Sequence, residues 1–242
     1  RQMCIRDRKE GAFMKPYTKF VILIHFNNLN WNKNIPRLTK DWIENRMTIF
    51  MNYTFKSLKG QTNQDFETII LYDILSEGLI FEALNTYGPL PSNMHFMPKR
   101  DGLKYIKKSL DSYDYLCFTK LDSDNMYHTS YMEFLHNYNP KETSDFLAFS
   151  KGYAFNALTG ELATYTATRE YFYVRLLKVE EYLKGNLPPI PIGQTESAKQ
   201  IAYELIEDVP IFTIVCHGTN VNNTYRLVHP SRMIKDTTQI LS

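Results

Sequence analysis

The 242-residue chain has only three cysteines, no excess of one charge and no long apolar run. Three cysteines without paired spacing provide neither a disulfide framework nor a zinc site, and they favour a reducing compartment. The 28 basic and 26 acidic residues leave a net charge of +2, and the lysines and arginines are dispersed along the chain. This distribution argues against a dedicated nucleic-acid-binding protein.

The longest apolar run, Phe20–Phe26, reads FVILIHF. It falls far short of the roughly 20 residues that span a bilayer, and it lacks the cleavage site of a signal peptide. We therefore expect a cytoplasmic protein. A separate feature concerns the first residues: Gln2–Arg8, QMCIRDR, is the translation of a transposon end used in sequencing adapters. We expect residues 1–13 to be a non-native leader and residues 14–242 to form a single domain.

The first part of the chain alternates apolar runs with helical patterns, which predicts an α/β fold with a mostly parallel central sheet flanked by helices. Strands are expected at Phe20–His25, Phe66–Tyr72, Met94–Met97 and Tyr115–Thr119. Helices are expected from the N-cap Thr39 to Gly60, and at Ser76–Leu84, Asp101–Leu110 and Tyr131–Tyr138.

The later part predicts a smaller, mixed β/α C-terminal half. Short strands are expected at Phe146–Phe149, Gly152–Asn156, Leu162–Tyr165 and Ile211–Cys216. Helices are expected at Tyr171–Leu183 and Ser197–Ile206, on either side of the proline-rich loop Leu187–Ile192.

Two carboxylates, Asp122 and Asp124, follow the fourth predicted strand. An apolar strand that ends in Asp-x-Asp can hold a divalent cation, because open α/β sheets present ligands at the carboxyl ends of their strands. Solvated loop carboxylates are the simpler interpretation of the motif. A calcium loop of the EF-hand type is excluded, because its fifth and sixth positions would be Met126 and Tyr127 instead of an oxygen ligand and a glycine.

Two longer segments, Ser57–Asp73 (SLKGQTNQDFETIILYD) and Asp114–Leu135, resemble nucleotide-sugar glycosyltransferases of the GT-A fold. Together with the opening FN..LNW, the LDSDN block and the late VCHGTNVNN, they make the chain similar to the bacterial rhamnosyltransferase family. The resemblance covers most of Lys19–Asn223.

The resemblance implies a GT-A-like enzyme that transfers a hexose, with rhamnose suggested by the family's name, from a nucleoside-diphosphate donor. The acceptor would be a bacterial surface glycan or a lipid-linked precursor, which allows peripheral association with the inner face of a membrane. Mn²⁺ or Mg²⁺ would be held by Asp122, Asp124 and His217 and would bridge the donor diphosphate.

The resemblance also implies contacts to the donor from Asn27, Asp73, Arg100 (or its neighbour Lys99), Asp122 and Asn125. Asp73 could equally cap the turn that follows it, and His217 could equally be a packed histidine. No matched position identifies the base that would deprotonate the acceptor; Glu161 and Glu170 are the candidates.

Two positions depart from the family's pattern. His25 stands where an arginine is usual, and Asn125 stands where a third acidic residue is usual, so the site is one carboxylate short. These departures support an alternative, a catalytically inactive glycosyltransferase-like protein that binds a nucleotide or carbohydrate. A methyltransferase is disfavoured, because the loop after the first strand, Asn27–Asn30, contains no glycine.

Overall fold

The computed structural model describes residues 17–27, 36–167, 172–187, 202–220 and 232–234. The strands are β1 (Thr18–His25), β2 (Glu67–Tyr72), β3 (Met94–Pro98), β4 (Tyr115–Asp122), β5 (Met126–Tyr127), β6 (Phe146–Phe149), β7 (Lys151–Asn156), β8 (Glu161–Thr166), β9 (Phe172–Lys178), β10 (Tyr203–Ile206) and β11 (Phe212–Cys216). The helices are α1 (Lys40–Phe50), α2 (Lys56–Lys59), α3 (Glu77–Leu84), α4 (Lys99–Lys108), α5 (Tyr131–Asn137) and α6 (Val179–Lys184).

The central sheet has seven strands in the order β10-β6-β9-β4-β1-β2-β3. β9 runs antiparallel to its neighbours β4 and β6, and the other pairs are parallel. The predicted mostly parallel sheet is therefore confirmed. Since β1, β2, β3 and β4 are mutually parallel, the segments that leave them emerge at one edge of the sheet, where such folds place ligands.

Both faces of this sheet are covered, as the continuous apolar sequence of β1 predicts. Ile22 and Ile24 point to the face packed against α1, where Phe50 is fully buried. Val21 and Leu23 point to the opposite face, in the cluster that includes Ile106 of α4. The two clusters hold the strand ends in fixed positions relative to the helices around them.

The helix predicted between Thr39 and Gly60 is a composite of α1, a π-helical turn at Met51–Phe55 and α2. π-helical turns occur mostly as single wide turns inside α-helices, frequently beside functional sites. Here the wide turn changes the rotational phase between the two α-helical parts. Among the described helices, none is long and apolar enough to cross a membrane.

A second sheet of four strands has the order β5-β11-β7-β8. β11 pairs parallel with β7 and antiparallel with β5, the short strand that follows β4 closely in the chain. A Cβ atom on Gly152 would lie 2.5 Å from the carbonyl oxygen of Phe212, so glycine permits the close approach of β7 and β11. Because β11 pairs with β5, which follows β4 closely, this sheet places the chain at β11 next to the end of β4.

Two predicted helices were wrong. Phe172–Lys178 of the expected helix Tyr171–Leu183 is strand β9, and only Val179–Lys184 is helical. The segment pairs with β4 along one edge and with β6 along the other, and such a short, largely apolar run fits a buried strand as well as a helix. Of the expected helix Ser197–Ile206, Tyr203–Ile206 forms strand β10 against β6. Residues 197–201 of that helix, the leader and most of the proline-rich loop lie outside the described residues.

Candidate functional site

Residues Asp122–Asn125 form a tight turn at the end of β4, which we call the acidic turn. The strand continues to Asp122, beyond its predicted end at Thr119, and the backbone N–H of Asn125 donates to the carbonyl oxygen of Asp122 at 3.1 Å. Asp122 is exposed, whereas Ser123, Asp124 and Asn125 are buried. The turn thus exposes the carboxylate of Asp122 and buries that of Asp124.

The carboxylate of Asp124 is bound through one oxygen. Its Oδ2 accepts from Arg46 Nη1 at 3.1 Å, from His217 Nε2 at 3.2 Å and from Asn220 Nδ2 at 3.4 Å. Burial opposes the charge of this group, but the hydrogen bond from His217 and the charge of Arg46 outweigh it and lower the pKa of Asp124. The other oxygen, Oδ1, accepts no hydrogen bond from the described part of the chain.

His217 lies beside Asp124 but uses both ring nitrogens within the protein. Because a carboxylate only accepts, Nε2 donates to Asp124, and Nδ1 lies 2.9 Å from the hydroxyl oxygen of Thr219. Asn220 closes the loop by accepting from the backbone N–H of His217 at 2.6 Å. Within the described residues there is no group of three or more His, Cys, Asp or Glu side chains that could hold a metal ion.

Asn125 links the acidic turn by hydrogen bonds to β11 and to the π-helical turn Met51–Phe55. Its Oδ1 accepts from the backbone N–H of Val215 at 3.2 Å, and its carbonyl oxygen accepts from the hydroxyl of Thr54 at 2.8 Å. Its Nδ2 donates to Asp122 Oδ2 at 3.4 Å. An aspartate at this position would lose that donor and place a second negative charge beside Asp122.

Asn27 and Asp73 lie at the ends of β1 and β2 and bind each other. The backbone N–H of Asp73 donates to Asn27 Oδ1 at 2.8 Å, and Asn27 Nδ2 donates to Ser76 Oγ at 2.8 Å. Asp73 Oδ1 accepts from the N–H of Leu75 at 2.9 Å, which caps the short 3₁₀ turn Ile74–Ser76. The capping alternative for Asp73 is thus observed, and Asn27 fixes the relative position of two strand ends.

Lysines supply positive charge around His25. His25, paired in register with Asp122, is half-buried; burial, followed by the charges of Lys120 and Lys99, lowers its pKa to about 4. It is therefore neutral at neutral pH, whereas an arginine at this position would be charged. Arg100 lies next to Lys99 in the first turn of α4, and both side chains are exposed.

Of the two candidate bases, the structure describes Glu161. Glu161 is exposed at the start of β8, and its carboxylate accepts from the hydroxyl of Thr159 at 2.6 Å. Among the described residues it has no hydrogen bond to the turn. Glu170 lies outside the described residues.

Sequence reasoning missed Arg46 and Asn220. Arg46 follows Ile43 and precedes Phe50 on α1, so it lies along the buried face of an amphipathic helix, where a charge needs a partner. That position was the available signal. Asn220 belongs to the polar loop after β11, and nothing in its sequence context distinguishes it from Asn222 or Asn223.

The acidic turn has the composition of a Mg²⁺ or Mn²⁺ site. Both ions prefer oxygen ligands, and Mg²⁺ is commonly bound by one or two carboxylates together with substrate phosphates. Exposed Asp122 and the Oδ1 atom of Asp124 supply two such carboxylates. The residues therefore fit a divalent cation, and a bound phosphate group and water would supply its remaining ligands.

No protein-family model and no curated protein matches the sequence. Among solved structures, S. aureus TarS 1-349 in complex with UDP-GlcNAc is similar, with 12% identity, a TM-score of 0.49, and coverage of 84% of this chain and 60% of that one. GalNAc-T7 with UDP, GalNAc and Mn²⁺ is similar with 9% identity, a TM-score of 0.45, and coverage of 85% and 45%. The chain thus spans about 60% of the length of the TarS fragment. These likenesses are distant, and the site's own geometry is the stronger guide to function.

Proposed function

We propose that this chain is a glycosyltransferase that binds a nucleoside-diphosphate sugar with the diphosphate at the acidic turn. The observation that carries the proposal is the state of Asp124. It is an ionised carboxylate at the carboxyl edge of a mostly parallel sheet, with one oxygen bound by Arg46 and His217 and the other left open beside exposed Asp122.

In this proposal Asp122 and Asp124 hold Mn²⁺ or Mg²⁺. When bound, the cation would neutralise charge that develops on the departing diphosphate. The chain's own residues prepare the site: Arg46 and His217 keep Asp124 ionised, and Asn125 anchors the turn to β11. Preorganised groups of this kind stabilise developing charge without moving during the reaction.

The identity of the sugar and of the acceptor rests on the sequence resemblance alone. It favours a hexose, with rhamnose as the first candidate, and a glycan or lipid-linked acceptor of the bacterial surface. Such an acceptor would bring the protein to a membrane face. The catalytic base stays unassigned between Glu161 and Glu170, and Arg100 or its neighbour Lys99, both exposed in the first turn of α4, is the proposed cation for the diphosphate.

A panel of nucleoside diphosphates, each with Mn²⁺ or with EDTA, tests donor binding by thermal unfolding. A ligand that binds only the native state raises the melting temperature. We expect at least one nucleotide to stabilise the protein in the presence of Mn²⁺ and not in EDTA. Asp122→Asn should abolish this shift, whereas Asp111→Asn, an exposed aspartate beyond α4, should preserve it. A panel in which no nucleotide gives a metal-dependent shift contradicts the proposal.

The alternative, a binding protein without turnover, is favoured by one observation: His25 is neutral where the family usually has a permanent cation. Release of nucleoside diphosphate from a sugar donor separates the two. Mn²⁺-dependent release by the native protein, lost in Asp122→Asn, supports the enzyme. Metal-dependent donor binding with no release above that of the variant supports the binding protein.

A further inference from the structure

The composite helix from α1 to α2 runs along the chain segment that starts at the acidic turn. Thr54 binds the carbonyl oxygen of Asn125, and Ser57 Oγ accepts from the N–H of Tyr127 at 3.4 Å. Gln61, just after α2, donates to the carbonyl oxygen of His128 at 2.8 Å and accepts from the N–H of Met132 at 3.0 Å. One side of this helical segment therefore fixes the backbone from the turn to the start of α5.

Arg46 is the first contact in this series and the one with a charge. Its Nε and Nη2 donate to Ser123 Oγ at 3.0 and 2.7 Å, and its Nη1 donates to Asp124 Oδ2 at 3.1 Å. The planar guanidinium thus binds two successive residues of the turn at once. A lysine has a single ammonium group and cannot reproduce this fork. The ion pair is largely sheltered, with side-chain exposures of 19% for Arg46 and 12% for Asp124.

The position of Arg46 has two opposed consequences for a cation at the turn. Its charge repels a second cation, so a purely electrostatic role would make its removal strengthen metal binding. Arg46, His217 and Asn220 instead all donate to Oδ2 of Asp124. Oδ1 is therefore the oxygen of Asp124 that has no hydrogen-bond partner among the described residues. These two effects predict opposite signs for the same substitution.

We propose that Arg46 is a positioning residue for the acidic turn: it fixes Asp124 through Oδ2 so that Oδ1 is presented to a divalent cation. This inference rests on the proposed function, since it assigns the cation to the same turn. Loss of a partner that orients a metal ligand typically weakens metal binding by roughly 10–100-fold. The gain in cation affinity from positioning Asp124 then exceeds the loss from the charge of Arg46.

Titration of Mn²⁺ alone into the protein, with free Mn²⁺ followed by electron paramagnetic resonance, tests the inference without any donor or turnover. We expect Arg46→Gln to bind Mn²⁺ about tenfold more weakly or worse, the usual effect of losing an orienting partner. Arg46→Lys should recover part of the affinity, because it keeps the pairing charge and loses the fork. Ser123→Ala, which leaves the ion pair in place, should cost less than Arg46→Gln.

Lys40→Gln is the matched control, since Lys40 is an exposed ion-paired cation on the same helix, and its affinity should equal that of the native protein. Circular dichroism checks that each variant is folded. If Arg46→Gln does not fold, Ser123→Ala takes its place as the test variant. Native-like or tighter Mn²⁺ binding by Arg46→Gln, or by Ser123→Ala in its place, overturns the positioning role while the proposed metal site stands. Failure of the native protein to bind Mn²⁺ alone overturns the inference, whereas the proposed function is contradicted separately, by a nucleotide panel without any metal-dependent shift.

Discussion

Replacing Asn125 by aspartate would add a third acidic residue to the acidic turn, and the structure predicts that it destabilises this chain. Asn125 Nδ2 lies 3.4 Å from Asp122 Oδ2 and donates to it. In the variant a second carboxylate takes this place. Two unit charges at that separation repel by about 5 kcal/mol at an effective dielectric constant of about 20, and by about 1 kcal/mol in bulk water.

The magnitude lies between these limits because Asn125 is 2% exposed and Asp122 is exposed. We expect Asn125→Asp to lose about 2–3 kcal/mol of unfolding free energy without metal, or roughly 5–10 °C in melting temperature for a chain of this size. The hydrogen bond from Val215 is retained, since an aspartate oxygen accepts it equally well. A bound cation would lie near both carboxylates and should return most of the loss.

Thermal unfolding at pH 8, in EDTA and in Mn²⁺, measures both parts of this prediction. Asn63→Asp is the control, because Asn63 accepts from the N–H of Asp65 in an exposed turn where aspartate serves equally. The reasoning is refuted if Asn125→Asp is as stable as the native protein in EDTA. It is also refuted if Mn²⁺ stabilises the variant no more than the native protein.

Two further predictions concern the frame around the site. The lowered pKa of His25 means that the folded protein favours the neutral imidazole. The free energy of unfolding that this preference contributes is complete above about pH 6.5 and is lost as the pH falls towards 4. In urea unfolding, His25→Gln should therefore lose less stability between pH 7 and pH 4.5 than the native protein. Gly152→Ala should destabilise the protein by about 1–3 kcal/mol, because the new Cβ would meet Phe212. Gly78→Ala in α3, where the space around the glycine is open, should stabilise the protein by about 0.5–1 kcal/mol. Equal effects of the two substitutions on the free energy of unfolding would contradict the close approach of β7 and β11.

The strands that build the site could be predicted from the sequence because each contains a short apolar run and is followed by a polar residue. β1, β2 and β4 belong to this class, and because parallel strands end at the same edge of a sheet, the sequence predicts that Asp73 and Asp122 lie at one edge, as the structure shows. β9 could not be recognised in the same way. Its apolar residues satisfy a helical spacing, and only pairing with β4 and β6 decides between helix and strand.

The limits are similar within the site. Asp122 and Asp124 are local features, so the motif found them. The partner Arg46 is 78 residues away from Asp124 in sequence, and its role depends on how α1 packs against the sheet. Asn125 shows the same dependence, since the sequence suggests a missing ligand and the structure shows an amide whose two ends are both bound by the protein.

The most direct test of the central claim, that the acidic turn binds a divalent cation and a donor diphosphate together, is calorimetric titration of the nucleoside diphosphate that gives the largest thermal shift. We expect binding in the presence of Mn²⁺, at least tenfold weaker binding in EDTA, and loss of the Mn²⁺-dependent part in Asp122→Asn. Equal affinity in Mn²⁺ and EDTA, or unchanged Mn²⁺-dependent binding by Asp122→Asn, would place the nucleotide elsewhere and contradict the account.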